Sequence, residues 1–366
     1  MKYRREEVCA RKVFRAPYVW QERDGVLEAC MPGAYLRFAA EGSELLGVGI
    51  DRRFNRGCPA NSMPVVEYFV DGGPVGTAQI PPPEPDAPDE YPLILAEGLD
   101  PAVPHTAEFH FRAANLMLDR WSDQKTHLRI GGVLIGEKAR LRNAPRRSRL
   151  AIGFGDSITE GVGAVKRFSG WDDLSANRAP GSWFPLACSV LDCEYGQLGT
   201  GGQGVVRDSP AMPALRHTWS RYSEQASRLN GGLLLPEPDY FFCAMGTNDF
   251  KTDISEPLDI EAEAGEWLRA VRRACPRAWI FWLVPPLGMH DGEIGRAMEA
   301  LRAAGDDRVF RIDTASLRAG FDRRAKPSRY ADDGIHPNGD GAARLGALTA
   351  AAVRAVLERG GETHFQ

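Results

Sequence analysis

The sequence predicts two architectures in series: an antiparallel β-sandwich over residues 1–145, then an α/β sandwich built on a parallel sheet over residues 146–366. Three observations carry this prediction. At 366 residues the chain is longer than one hydrophobic core usually serves. Up to about Leu150 its apolar runs are short, aromatic or β-branched, and bounded by turn residues. From Leu150 onward the runs become almost continuous and alternate with helical patterns.

In chain order, YLRFAAEG (35–42), VVEYFVDGG (65–73), AEFHFRAAN (107–115) and LRIGGVLIG (128–136) read as antiparallel strands. No long amphipathic helix is expected among them. The tract PPPEPDAPDEYP (81–92) cannot donate ladder bonds at its prolines, so it is expected as a surface loop or an extended edge. NAPRRSR (143–149) reads as a linker. The later runs LAIGFG (150–155), PDYFFCAMG (238–246), AWIFWLVP (278–285) and RVFRIDT (308–314) suit parallel strands covered on both faces. IEAEAGEWLRAVRRA (260–274) and GAARLGALTAAAVRAVLERG (341–360) suit helices. Ligands of such sheets bind at the carboxyl ends of the strands, which is where chemistry is to be sought.

Composition narrows the function classes. Hydrophobic residues make up 43% and charged residues 26%, as in ordinary globular proteins. With 45 Lys plus Arg against 49 Asp plus Glu, the net charge of -4 leaves no basic footprint for a phosphate backbone. A nucleic-acid partner is therefore not expected. The N-terminal stretch is charged and lacks the apolar core of a signal peptide, and no run approaches the roughly 18 apolar residues of a membrane span. Cys9, Cys30, Cys58, Cys188, Cys193, Cys243 and Cys275 are odd in number and scattered, which suits reduced thiols and a cytoplasmic location.

GFGDSITEG places Ser157 just beyond the strand 151–154. If a helix begins near Ile158, the Ser157 N–H lies at its positive end, a suitable place for a developing oxyanion. Asp156 and Ser157 also suit an N-cap pair, with Glu160 in capping-box spacing, and the motif alone leaves both readings open. FFCAMGTNDF brings Asn248 to another strand end, as an amide donor or as a turn residue. DDGIHPNGDG sets Asp333 three residues before His336, so a carboxylate can orient an imidazole; a solvated loop histidine is the alternative. Ser157, His336 and Asp333 together form a candidate acyl-transfer constellation. A serine hydroxyl needs a base, and a carboxylate fixes the tautomer of that base and stabilises its imidazolium. His290, after VPPLGM at another strand end, is expected in an exposed loop, with a place in the cleft as the alternative. GTGGQG (199–204) satisfies GxGxxG, but Pro210 and Pro213 interrupt the long helix a pyrophosphate site requires. The Cys and His residues show no zinc spacing, and neither metal nor cofactor is expected.

The blocks GDSITEG, GTND and DGIHPN, in this order, resemble those of the SGNH, or GDSL-type, serine hydrolases over about residues 150–360. The resemblance implies an SGNH-hydrolase-like three-layer sandwich. It makes Ser157 the nucleophile and an oxyanion donor, Asn248 a further oxyanion donor, His336 the base and Asp333 its partner. The family takes a second oxyanion N–H from an intervening glycine loop. GGQGVVRD fits that loop best with Gly202 as donor, although Gly201 stands where the usual residue is serine, and Gly199 and Gly204 are alternative registrations.

The whole chain is similar to the two-domain family two carbohydrate esterases, whose N-terminal jelly roll packs beside the cleft. In that family the Asp partner of the histidine can be missing; here Asp333 is present. The implied function is a serine esterase acting on acyl esters, acetyl foremost, of a carbohydrate or small glycoside. A general esterase, lipase or thioesterase on the same scaffold, and a non-catalytic carbohydrate-binding protein, are the alternatives. Trp171, Trp183 and Trp219 are candidates for a sugar platform or for core, whereas Trp279 and Trp282 are expected to be structural. Oligomeric state is left open.

Overall fold

The computed structural model describes residues 2–249, 259–322 and 328–359. Its N-terminal part holds two six-stranded antiparallel sheets. One orders the strands Gln21–Arg23, Val26–Ala29, Leu128–Gly136, Leu45–Asp51 and Glu90–Glu97, and Tyr3–Glu7 also pairs with Leu128–Gly136. The other orders Arg140–Arg142, Tyr35–Glu41, His105–Ala113, Val65–Val70 and Gly76–Gln79, with Phe14–Arg15 beside Tyr35–Glu41. All four strands expected from the sequence are present. Leu46, Val48, Ile130 and Ile135 from one sheet and Phe38, Phe109 and Phe111 from the other are fully buried in a shared apolar core. The proline-rich tract runs into Glu90–Glu97, an edge strand, where a missing N–H is tolerated.

The sheet that begins at Arg149 is parallel throughout. Its order is Cys193–Gly199, Arg149–Gly155, Tyr240–Ala244, Trp279–Leu283 and Val309–Ile312. Arg149–Gly155 thus lies where the strand order reverses, and ligands of such sheets collect at this point. Successive residues of that strand face opposite ways: Gly153 lies against Phe184, whereas Phe154 packs on Trp267. Helix Trp183–Val190, packed with Gly339–Arg359, therefore covers one face, and Ile260–Ala274, packed with Asp291–Ala303, covers the other. Helix Ile260–Ala274 buries Ile260, Ala264, Trp267, Leu268 and Val271 along one stripe, and the Asp259 side chain caps it through the Ala262 N–H. The expected C-terminal helix starts two residues early, at Gly339; Gly360 lies outside the described residues.

Cys193–Gly199 was not legible as a strand, because Glu194, Gly196 and Gln197 break its apolar pattern. All seven residues are buried nevertheless. Glu194 accepts from the Tyr35 hydroxyl (2.5 Å), Arg37 Nη1 (3.1 Å) and the Arg147 N–H (2.9 Å). Gln197 Nε2 donates to the Thr159 and Ala179 carbonyls, and a Cβ on Gly196 would stand 2.2 Å from the Pro17 carbonyl oxygen. The N-terminal sheets supply several of these partners, so the polar residues of this edge strand form their seam with the parallel sheet.

Candidate active site

The strand Arg149–Gly155 turns at once into the single-turn helix Ser157–Glu160. A Cβ on Gly155 would meet Thr159 Oγ1 at 2.0 Å, so the tight turn admits only glycine there. Asp156 is the N-cap: its Oδ1 accepts the Ile158 N–H at 2.9 Å. Gly161, at φ +82°, ends the helix in the left-handed conformation. Ser157 is consequently the first residue of a helix at the carboxyl edge of the sheet. The capping box that the spacing allowed does not form, because Glu160 turns away to Arg120 Nη1 (2.9 Å) and the Gly201 N–H (2.6 Å).

His336 arrives from the loop before the last helix. Its Nε2 lies 2.9 Å from Ser157 Oγ, and its Nδ1 lies 2.6 Å from Asp333 Oδ2. Gly163, at φ +71°, permits this approach, since a Cβ there would stand 3.2 Å from the His336 Cβ. Asp333 Oδ1 also accepts the backbone N–H groups of Ile335 (2.9 Å) and His336 (2.8 Å). Burial pushes the Asp333 carboxyl up, but the His336 hydrogen bond and charge, with the two backbone donors, outweigh it and hold the pKa at about 2. An ionised carboxylate only accepts, so the proton resides on Nδ1, and Nε2 is left to accept from the serine hydroxyl.

The N–H groups of the glycine loop have different destinations. Gly199 closes its strand under the Glu160 backbone, which a Cβ would approach to 2.3 Å. The Gly201 N–H is taken by Glu160, and the Gly204 N–H by the Arg207 carbonyl (2.9 Å). Gly202 lines the same cavity as Ser157, Asn248 and His336, and among the described residues neither its N–H nor that of Ser157 reaches a protein acceptor. Asn248 Nδ2 donates one hydrogen to the Gln203 carbonyl (3.0 Å), which fixes the amide and leaves its second hydrogen available. Asp249 braces the loop by accepting from Val205 (3.1 Å) and Val206 (3.0 Å).

The cavity holds about 610 Å³. Besides the groups above it is lined by Met117, Phe168, Trp171, Leu287 and Ile335, with Arg167 and Arg207 at its polar side. Trp171 is 45% exposed and meets Phe168 edge to face, and the Phe168 ring lies 5.4 Å from that of His336. Of the three tryptophans weighed as a platform, only Trp171 lines this cavity. Trp183 and Trp219 are buried; Trp183 Nε1 donates to Thr159 Oγ1, and Trp219 packs on Trp267. Trp282 is buried as expected. His290 does not stand free in a loop: its Nε2 lies 2.6 Å from the Asp249 carbonyl and buttresses the Asn248 turn. Met117 reaches the site from a segment without any motif, so no sequence signal could have found it.

Asp156, next to Ser157, carries a further perturbed carboxyl. Complete burial raises its pKa to about 6, against the opposing pull of the Ile158 N–H, Thr247 and His336. Among the described residues no group of His, Cys, Asp and Glu is placed to hold a metal ion, and no helix is long and apolar enough to cross a membrane.

The sequence model of the GDSL-like lipase/acylhydrolase family matches residues 154–344, more than half of the chain and all five candidate residues. The chain belongs to this family. This family member also resembles solved structures along nearly its full length. A family two carbohydrate esterase from Cellvibrio japonicus is 17% identical, with a TM-score of 0.76 and 98% of each chain covered. An acetyl xylan esterase from the rumen bacterium Butyrivibrio proteoclasticus is 16% identical, with a TM-score of 0.72 and 99% of each covered. A family two carbohydrate esterase from Clostridium thermocellum, solved with cellohexaose, is 17% identical, with a TM-score of 0.72, covering 94% of this chain and 99% of that one. No curated protein matches the sequence at a significant level. At these identities the likeness shows the fold, an SGNH hydrolase sheet together with N-terminal antiparallel sheets.

Proposed function

We propose that this GDSL-family protein is a serine esterase that removes acyl groups, acetyl foremost, from a carbohydrate or small glycoside. One observation carries the reading: Ser157 Oγ, His336 and Asp333 stand in line, at 2.9 and 2.6 Å, beneath a cavity that Gly202 and Asn248 also line.

In the first step His336 Nε2 takes the hydroxyl proton as Ser157 Oγ attacks the ester carbonyl. The charge that develops on the carbonyl oxygen faces the N–H groups of Ser157 and Gly202 and the Asn248 amide, which are already oriented and need no reorganisation. His336 then returns the proton to the departing sugar hydroxyl, leaving acyl-Ser157. Water deprotonated by His336 attacks this ester in the same manner, and the acid and free enzyme result. Asp333 stays ionised throughout and stabilises the imidazolium.

The carbohydrate part of the proposal rests on Trp171, the exposed ring at the cavity wall, and on the kinship in fold with carbohydrate esterases. The apolar lining from Met117, Phe168, Leu287 and Ile335 favours a second reading, a longer or aromatic acyl group. Acetate release from a panel of acetylated sugars, beside a chain-length series of aryl esters, separates the two. Faster turnover of acetylated sugars than of aryl acetate supports the first; preference for long or aromatic acyl groups selects the second. We further propose residues 1–145 and 146–366 as the two units of the chain, and a cytoplasmic location consistent with seven free thiols.

A further inference from the structure

The replacement of serine by Gly201 in the glycine loop has a structural counterpart in the N-terminal part of the chain. A Cβ on Gly201 would stand 2.9 Å from Leu116 Cδ2 and 3.4 Å from Glu160 Oε2, so the space of a side chain is already occupied. Leu116 belongs to the segment 115–120, which follows strand His105–Ala113 and leaves the N-terminal sheets to reach the active site. The next residue, Met117, lines the cavity. At the end of the segment the Arg120 N–H donates to the Ala211 carbonyl (2.9 Å), beyond the glycine loop, while its guanidinium binds Glu160. Glu160 Oε2 in turn accepts the Gly201 N–H, one residue before the candidate oxyanion donor.

This arrangement is costly for a purely structural contact. Arg120 is fully buried, Glu160 is nearly so, and Arg120 Nε and Nη2 reach no acceptor among the described residues. A buried ion pair with unsatisfied donors is often no better for stability than an apolar pair of similar size. What the pair does achieve is geometric: one carboxylate joins the helix that carries Ser157, the loop that carries Gly202, and the N-terminal sheets. The segment is itself anchored, because His127 bridges the Arg120 carbonyl (2.9 Å) and Glu28 (2.6 Å), and Glu28 binds Arg129 (2.6 Å).

We propose that Arg120 and Glu160 are positioning residues for the oxyanion loop. Through them the N-terminal sheets set the rate of chemistry at Ser157. The proposal rests on Ser157 being the nucleophile. Glu160 acts by accepting the Gly201 N–H, which fixes the Gly202 N–H at the position of the developing charge; Arg120 keeps that carboxylate aimed.

Three full-length variants test this, with an aryl acetate as substrate and methylboronic acid as a probe whose oxygen occupies the oxyanion position. In Glu160→Gln the amide cannot serve Arg120 and Gly201 together, and kcat should fall about 10-fold or more with KM within about threefold. In Arg120→Met/Glu160→Gln no charge is left unbalanced and the amide oxygen can still accept from Gly201, so kcat should recover to within about threefold of wild type. Arg120→Met/Glu160→Met is equally neutral but has no acceptor. Its kcat and its boronate affinity should both fall roughly 10- to 100-fold, less than the 100- to 1000-fold of deleting an oxyanion donor outright. If the last variant does not fold, the loss in Glu160→Gln and its recovery on adding Arg120→Met decide the matter. Equal kcat in the two double variants, an undiminished kcat in folded Glu160→Gln, or a kcat loss with boronate affinity intact overturns the proposal. Retained hydrolysis in Ser157→Ala would instead sink the esterase reading on which it rests.

Discussion

Replacing Asp156 by Asn should stabilise the protein at neutral pH and leave its stability unchanged near pH 4. Asp156 is wholly buried, its Oδ2 reaches no partner among the described residues, and its pKa rises from 3.8 to about 6 because burial disfavours the anion. The sign follows from proton binding. Between these two values the folded state holds the proton and the unfolded chain releases it, so stability falls as pH rises through the window and levels off above about 6. A shift of roughly 2 units at about 1.4 kcal/mol each gives a penalty of about 3 kcal/mol at pH 7. Asn carries no such penalty. Its Oδ1 can keep the bond to the Ile158 N–H, and Asn caps helices as well as Asp does. A gain of about 1–3 kcal/mol is expected at pH 7. Urea unfolding of both proteins at pH 4 and pH 7, followed by tryptophan fluorescence, measures it. A variant that is destabilised at pH 7, or that gains equally at both pH values, refutes the argument that the buried charge is the source of the penalty.

Three further outcomes concern activity. Asp333→Asn should lower kcat far more than it raises KM, by about 100-fold or more, because the stabilisation of the imidazolium is lost; equal kcat in the folded variant contradicts the role. Asn248→Ala should cost about 100- to 1000-fold in kcat with little change in KM, and a loss confined to KM would make the residue a ground-state contact. Trp171→Ala should reduce kcat/KM for an acetylated sugar by about 10-fold or more while sparing an aryl acetate, since remote contacts matter only to a substrate that uses them. An unchanged ratio between the two substrates removes the ring from sugar recognition.

Much of the fold was written in apolar periodicity, and the parts that were not share a physical reason. The strands 150–155, 238–246 and 278–285 announce themselves because both faces are covered and most residues are apolar, whereas 308–314, at the sheet edge with Arg311 exposed, rests on Val309, Phe310 and Ile312 alone. Cys193–Gly199 escapes the same reading although it is just as buried, since its Glu194 and Gln197 find partners in Tyr35, Arg37 and backbone carbonyls that sequence patterning cannot foresee. The site divides in the same way. Ser157 and Asn248 lie in short motifs just beyond strands, and Asp333 and His336 in one just before the last helix. The destinations of the Gly201 and Gly204 N–H groups, to Glu160 and Arg207, depend on contacts that no motif announces. Glu160 looked like a local cap and proved to be a link to Arg120, forty residues earlier. Trp183 and Trp219 could not be told from Trp171 until burial was known.

The central claim is that Ser157 forms the acyl-enzyme, and reaction with a fluorophosphonate tests it most directly. Attack by an activated serine displaces fluoride and leaves a stable phosphonyl ester, which intact-mass and peptide mass spectrometry can locate. The account predicts one adduct per chain, on the peptide containing Ser157, formed in wild type and absent from folded Ser157→Ala together with aryl acetate hydrolysis. An adduct that persists in Ser157→Ala, or hydrolysis that survives the substitution, would contradict it.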